Sequence, residues 1–550
     1  MAGHSDMETY GTITNGNTSI EADILIIGGG MGGMYGLYRF RQLGLKVKLM
    51  EAAPDFGGTW YWNRYPGARV DSEAPFYSLS IPEVYLTWNW SERFPDHREI
   101  RRYFKYVDDI LGLSKDAYFN TIVTETRWDG SHWVLRTKDG KTAKCKYLVS
   151  ATGSSYKKYY PDYKDINKFQ GTIVHSAEYP DEGFDMRGKK VGVIGSGATG
   201  IQIVQELAKD DCQLTAFVRT PSITFPMAQR KLSIEEQETQ KNWYDYLFKA
   251  AKTAPVGFPY NHTRSASIWD VSKEEREARF EYLWGRGGFA FQLSNYPDFI
   301  VDEKANAVYY DFWVRKVRER IKNQEKADIV APREQQVLFG TKRATLEQDY
   351  FEMVDRTNVS LVNLRDNPIQ RFTEKGIETT RGLLEFDILI FATGFHAVTG
   401  SLLDMGLYNK SSTPLSEVWK DGIKSHLGLA VPGFPNFFMT YSPQAPTALS
   451  NGPPIIEYQV DWIAQVIQRM QQQGISVIDA KKDAAEAWSS DLQRATDATL
   501  MPRTDSWWMG ANIPGKKREP QIYISGLDNY IKICDAALEN LDGFDLVKLA

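Results

Sequence analysis

Two glycine-rich turns carry the first chemistry visible in the chain. Gly28-x-Gly30-x-x-Gly33 and Gly195-x-Gly197-x-x-Gly200 close the apolar runs Ala22 to Gly28 (ADILIIG) and Lys189 to Gly195 (KKVGVIG). Glycines at this spacing permit a tight strand-to-helix turn, let backbone N–H groups approach a pyrophosphate, and let the next helix pack closely on the sheet. The residue ending the following strand separates the two turns: Glu51 stands 23 residues past Gly28, and Arg219 stands 24 past Gly195. A carboxylate there accepts hydrogen bonds from ribose hydroxyls and repels a 2′-phosphate, so the first site is expected to take FAD or NAD. An arginine grips a 2′-phosphate with its planar fork, so the second is expected to take NADPH or NADP+. Opposite ribose chemistries in one chain imply a tightly held flavin, FAD, that receives hydride from the nicotinamide.

The elements that must position these turns predict an α/β fold: two Rossmann-like dinucleotide-binding domains, with the NADP domain inserted in the FAD domain, plus a helical subdomain. Lys146 to Gly153 (KYLVSATG) and Asp387 to Phe395 (DILIFATGF) read as further strands leading to glycine turns, and the second is expected to return the chain to the flavin domain. The expected boundaries are a flexible tail over 1–20, an FAD-binding domain over 21–154 and 385–550, an NADP-binding domain over 155–224 and 334–384, and a helical insertion over 225–333. In that insertion Ser233-x-x-Glu236 and Ser272-x-x-Glu275 read as capping boxes. Its aromatics Trp243, Tyr244, Tyr246, Phe248, Phe280, Tyr282 and Trp284 read as packing residues.

Composition narrows the class of function. A net charge of −5 over 550 residues leaves no basic field for nucleic acid. The three cysteines, Cys145, Cys212 and Cys534, lie far apart with no metal-ligand spacing, so no metal is expected and the thiols are expected to be reduced. No apolar run approaches the roughly 20 residues that span a bilayer. The expectation is a cytoplasmic enzyme without a membrane partner, acting as a monomer or weak oligomer on a small molecule. A disulfide reductase would need a closely spaced redox pair beside the flavin, and the sequence has none.

The use of the electrons is carried by other segments. Phe169-x-Gly171-x-x-x-His175-x-x-x-Tyr179-Pro180, just ahead of the second turn, resembles the fingerprint of class B flavoprotein monooxygenases. Pro180 fits the Baeyer–Villiger branch, which usually carries Trp at the position of Tyr179; Tyr179 fits the N- or S-oxygenating flavin-containing monooxygenases, the alternative reading. Gly57-Gly58-Thr59-Trp60, continuing to Tyr65-Pro66-Gly67-Ala68-Arg69-Val70-Asp71, resembles a second Baeyer–Villiger signature. Lys342-Arg343 matches the position of that family's active-site arginine, and Trp507 falls in a C-terminal motif, Ser506 to Lys516, that the family uses to hold the nicotinamide cofactor. From about residue 20 to 540 the chain thus resembles the type I Baeyer–Villiger monooxygenases, the group of cyclohexanone and phenylacetone monooxygenases.

The resemblance implies a reaction and roles. NADPH reduces FAD, O₂ adds to give a C4a-peroxyflavin, and this attacks a ketone to form an ester or lactone; sulfoxidation is a further expected activity. Arg343 is the expected catalytic cation, because arginine stays protonated and stabilises an oxyanion without surrendering its proton. Asp71 is expected to orient it. Gly28, Gly30, Gly33, Glu51, Gly58, Thr59, Trp60 and Asp71 are expected around the flavin, and Gly195, Gly197, Thr199, Gly200, Arg219, Thr220, Lys342, Arg343 and Trp507 around the nicotinamide nucleotide. His175 is expected to serve interdomain movement. The loop Tyr441 to Gly452 (YSPQAPTALSNG) is expected to border the substrate, with Gln444, Ala445 and Leu449 setting its size. That loop and the unusual Tyr179 suggest a roomy pocket for cyclic or polycyclic ketones.

Overall fold

The computed structural model describes residues 19–260 and 266–548. Two parallel sheet centres dominate it. The first is the strand Ser19–Ile27, flanked in parallel by Val47–Met50 and Thr142–Ser150 within an eight-stranded sheet. Leu25, Ile26, Leu49 and Leu148 are sealed from solvent, as expected of strands covered on both faces. Each such side chain contributes about 1.5–3 kcal/mol of apolar burial. The second centre is an all-parallel five-stranded sheet in the order Val359–Asn363, Cys212–Val218, Lys189–Ile194, Ile388–Phe391, Thr172–His175.

Two expectations shift. Ser19 and Ile20, expected in the tail, already belong to the first strand, and the rest of that tail lies outside the described residues. The strand expected to return the chain to the flavin domain does not do so. Ile388–Phe391 pairs with Lys189–Ile194 on one side and Thr172–His175 on the other, so it is an inner strand of the second sheet. Its run of apolar residues signals a doubly covered strand but carries nothing about which sheet it enters. The chain rejoins the first sheet at Leu407–Tyr408, beside Val123–Trp128.

In chain order, between Thr224–Pro226 and Thr345–Glu347, come the helices Ile234–Lys241, Tyr244–Thr253, Lys273–Arg286, Ala290–Leu293, Glu303–Arg318 and Gln324–Val330. Both capping boxes form at the hydroxyl side: Ser233 Oγ accepts from Glu236 N at 3.0 Å and Ser272 Oγ from Glu275 N at 3.1 Å. Phe280 and Phe291 pack with Tyr309 and Phe312 in this unit's core, whereas Trp243, Tyr246 and Tyr282 point outward and are more than 60% exposed. The short parallel pair Thr224–Pro226 and Thr345–Glu347 closes its base. Lys252, on the second of these helices, reaches the buried carboxylate of Glu457 at 3.0 Å on the long helix Gly452–Gln473, tying the helical unit to the first sheet's layer.

The segment from Tyr65 to Asp71 is fastened to the second unit. Tyr65 OH donates to Gln202 Oε1 at 3.0 Å, and Gln202 Nε2 donates to the Arg69 carbonyl at 3.2 Å. Gly67 lies between them with φ +80°, and a Cβ there would sit 2.7 Å from the Gln202 carbonyl oxygen. Only glycine tolerates both the left-handed backbone and that approach. Gly67→Ala is therefore expected to cost about 1–3 kcal/mol through overpacking and strain. The check is thermal melting of the flavin-loaded enzyme; a melting temperature equal to wild type would contradict this account of the seam.

Candidate active site

One cavity of about 1240 Å³ touches both glycine turns. On the first side Gly28 and Gly30 line it, while Gly33 faces inward, where an added Cβ would meet the Gly28 carbonyl oxygen at 1.9 Å. Gly33 therefore serves the close helix packing and not ligand contact. Glu51 ends its strand 5% exposed, accepting from Gly29 N and, at 2.7 Å, from Ala53 N. Burial pushes its carboxyl above the usual range, and these backbone donors oppose that shift. Glu51 lines the cavity, where a carboxylate can accept from a ribose hydroxyl. Gly58, Thr59 and Trp60 line the same wall, and Trp60 Nε1 donates to Tyr77 OH at 2.8 Å.

The second side repeats the device with opposite charge. Gly195, Gly197 and Thr199 line the cavity; Gly200 packs inward, as Gly33 does. Nothing lies within 4 Å of a Cβ built on Gly197, so this turn faces open space as a pyrophosphate cradle must. Arg219, Thr220 and Lys342 stand beyond it on the cavity wall. Burial, then the neighbouring charge of Arg219, lowers the Lys342 amine below its usual value, with Asp505 opposing. Neither Arg219 nor Lys342 forms an ion pair with a carboxylate among the described residues. Two neighbouring cations, neither in an ion pair, fit a 2′-phosphate, which would relieve their mutual repulsion.

Arg343 sits where the two sides meet. Its Nη2 donates to Asp71 Oδ2 and its Nη1 to the Ala448 carbonyl at 3.0 Å, while its open part, 30% of the side chain, faces the cavity. Burial works against its charge, but the Asp71 carboxylate outweighs that and holds the guanidinium above its usual value. Arg343 thus stays a cation with N–H groups to spare. The ring of Phe289 lies 5.9 Å from the guanidinium carbon. Tyr441 and Tyr77 border the pair, their hydroxyls kept neutral by burial.

The structure brings Asp71, Arg343, Lys342, Arg219, Thr220, Glu51 and Trp507 to one cavity. It does not bring Gln444 or Ala445 there. Gln444 is 2% exposed, accepting from Ser425 Oγ at 2.7 Å and donating to Ser489 Oγ at 3.1 Å, and Ala445 is sealed in the first unit's core. The loop turns through left-handed residues at Tyr441, Gln444 and Ala448, and these reversals decide which side chains face inward. Its contribution to the wall is Tyr441, Ala448, Ser450 and Gly452. Leu449 packs with Trp507 on the small cluster of Met501, Trp508, Met509 and Ile522, behind the wall. Nothing in the sequence marked Tyr77 or the Ala448 carbonyl, because each meets Arg343 only through the fold, the carbonyl across 105 residues.

The fingerprint residues have structural partners. His175 is fully buried, with Nδ1 accepting from Ala177 N at 3.1 Å, which leaves Nε2 to donate to the Gly394 carbonyl at 3.0 Å. Burial lowers its pKa, in keeping with a neutral ring. Tyr179 is 3% exposed and packs edge-on against Phe184, away from the cavity. All three cysteines are free and buried.

Residues 22–242 match the family described as pyridine nucleotide-disulphide oxidoreductase, which covers the two glycine turns. Over 535 residues the chain is 40% identical to the cyclopentanone 1,2-monooxygenase of Comamonas sp., covering 97% of each chain. The chain belongs to the FAD- and NADPH-dependent Baeyer–Villiger monooxygenase family. Family structures superpose over nearly its whole length. The cyclohexanone monooxygenase from Rhodococcus sp. Phi1 bound to NADP+ aligns with a TM-score of 0.92 and 34% identity, over 97% of this chain and 100% of that one. The OTEMO complex with FAD and NADP aligns with a TM-score of 0.92 and 34% identity, over 96% and 99%.

The cation pair generates a prediction for this Baeyer–Villiger chain. Arg219→Ala should weaken NADPH by about tenfold or more while leaving NADH little changed, since each charge-assisted hydrogen bond contributes about 1.5–3 kcal/mol. Steady-state flavin reduction with both coenzymes checks it; equal losses for NADPH and NADH would contradict the assignment.

Proposed function

We propose that this chain inserts one atom of O₂ beside the carbonyl of a cyclic ketone, giving a lactone, with Arg343 as the catalytic cation and Asp71 as its positioning residue. The overall change balances as ketone, O₂, NADPH and a proton going to lactone, NADP+ and water. The observation that carries the reading is a permanently charged guanidinium, pinned by Asp71 and the Ala448 carbonyl, that faces the cavity joining both nucleotide turns. FAD, when bound, takes up the hydride and activates O₂. The first unit, around Glu51, would hold it, and the second, around Arg219 and Lys342, would hold the nicotinamide nucleotide.

The remaining work falls to this chain's own side chains. Negative charge develops on oxygen as the ketone is attacked, and a fixed cation in a water-sheltered site stabilises it without reorganisation. Asp71 and the Ala448 carbonyl each take one N–H of the guanidinium, which leaves others unused on a side chain that lines the cavity. Tyr77 and Tyr441 shape the wall around it as neutral hydroxyls. Cyclic ketones are favoured because relatives are named for cyclopentanone and cyclohexanone. Tyr179 no longer argues for N- or S-oxygenation as the main activity, since its ring serves a core contact; sulfoxidation remains a side activity of the same site. The three buried thiols support a reducing, cytoplasmic location.

The test is a pair of incubations with NADPH and O₂, one with graded cyclic ketones and one with a tertiary amine. Lactone is expected, and N-oxide without lactone would overturn the reading. Arg343→Ala should lower lactone formation by about 100-fold or more, by analogy with loss of an oxyanion donor. Flavin reduction by NADPH should survive that substitution; equal loss of both half-reactions would show that Arg343 does not act at the oxygen-transfer step.

A further inference from the structure

Arg343 is not the only donor where the two sites meet. Tyr441 is half-buried on the cavity wall beside it, and its hydroxyl accepts a hydrogen bond from Ala448 N at 3.0 Å. A phenol that accepts one bond still has its own proton to give, and among the described residues that proton meets no acceptor. Ala448 ties the two donors together, since its N–H holds the Tyr441 hydroxyl while its carbonyl takes Arg343 Nη1 at 3.0 Å. The charged groups that act on the hydroxyl are Arg343 and Asp71, and the neighbouring Tyr77 hydroxyl feels the same two. Burial pushes the Tyr441 hydroxyl above its usual value and the Arg343 charge opposes the shift, so Tyr441 remains a protonated donor.

The backbone is constrained to hold Tyr441 in this place. Its φ of +49° lies in the left-handed region, which a bulky side chain rarely adopts. Such a conformation persists only where the surroundings over-determine it, and it is concentrated at functional sites. Here the Tyr441 N–H donates to Gln459 Oε1 at 2.7 Å, and Gln459, on the long helix Gly452–Gln473, is sealed from solvent. Gln459 Nε2 in turn donates to Tyr530 OH at 3.0 Å, and Tyr530 OH to the Leu427 carbonyl at 2.7 Å. Ala448 is left-handed as well, at φ +58°. Two such reversals, seven residues apart, bring one hydroxyl and one carbonyl to the guanidinium. A phenylalanine would fill the same wall without that hydroxyl, so the feature to be explained is the O–H and its unspent proton.

We propose that Tyr441 is a second catalytic residue, whose O–H donates a hydrogen bond to the ketone oxygen as that oxygen gains the negative charge that Arg343 stabilises. No proton changes hands; the oxygen is held between a neutral donor and a fixed cation in a water-sheltered site. This rests on the ketone-oxygenating reading above. The experiment compares flavin-loaded wild type, Tyr441→Phe and Tyr441→3,5-difluorotyrosine, measuring lactone and hydrogen peroxide formed and NADPH consumed on one cyclic ketone across pH. Tyr441→Phe should lower kcat for lactone about 10- to 100-fold, the effect of one hydrogen bond to a charged group, with KM for the ketone little changed because the bond is made in the transition state. NADPH no longer spent on lactone should appear as hydrogen peroxide. The fluorinated variant keeps the acceptor for Ala448 N but carries a more acidic phenol. A phenol donates only while protonated, so activity is lost as pH rises through its pKa, and the fluorinated variant should lose lactone formation at a lower pH than wild type. A Tyr441→Phe rate equal to wild type overturns the proposal; so does a fluorinated variant with the wild-type pH profile, which would reduce Tyr441 to a prop for Ala448 N. Should Tyr441→Phe not retain flavin, the fluorinated variant decides alone. Absence of lactone from the wild-type enzyme overturns the ketone reading itself, whereas wild-type lactone with an indifferent Tyr441→Phe overturns only the role of Tyr441.

Discussion

A guanidinium withdrawn from bulk water keeps its charge in place only when a carboxylate is fixed beside it, and the Arg343–Asp71 pair is the contact on which this architecture turns. Its members are 272 residues apart. Asp71 arrives on a segment fastened to the helix of the second glycine turn through Tyr65, Gly67 and Gln202. Arg343 arrives just after the helical unit, ahead of the short strand Thr345–Glu347 that closes the base of that unit. The pair forms only if both nucleotide units and the helical unit are docked. Removing one partner strands the other's charge in a largely enclosed site, so the packing of three parts and the charge of one group are coupled.

Around that pair the chain uses one backbone device twice. In both units a parallel strand runs into a glycine turn, the third glycine packs the helix against the turn, and the next strand ends in a residue that discriminates the ribose. The difference rests on a few side chains: Glu51 is held by backbone donors, whereas Arg219 lowers the Lys342 amine across the second site, with only the more weakly acting Asp505 opposing it. A similar fold can thus hold two related ligands in fixed order, and the meeting point of the two sites is where Arg343 and Asp71 stand.

The local devices were legible from sequence because their physics is local. Glycine spacing, the charge ending each second strand and the serine caps depend on neighbours within about two dozen residues. Asp71, Arg343, Lys342 and Trp507 were legible only through family resemblance. What stayed hidden depends on long-range pairing. The apolar run at Ile388–Phe391 has no mark of the sheet it joins, and it entered the second one. Gln444 and Ala445 occupy a loop of the expected composition, but left-handed residues turned their side chains into the core. Tyr77 and the Ala448 carbonyl gain meaning only when distant segments converge.

The central claim is that Arg343 and Asp71 act as one unit at the oxygen-transfer step. A double-mutant cycle tests it most directly: lactone formed per NADPH consumed, measured for Asp71→Ala, Arg343→Ala and the double variant on one cyclic ketone. The account predicts strongly non-additive losses, with the double variant no worse than Arg343→Ala alone, because Asp71 contributes through the guanidinium it holds. Losses that multiply, with each residue lowering coupling independently of the other, would contradict it.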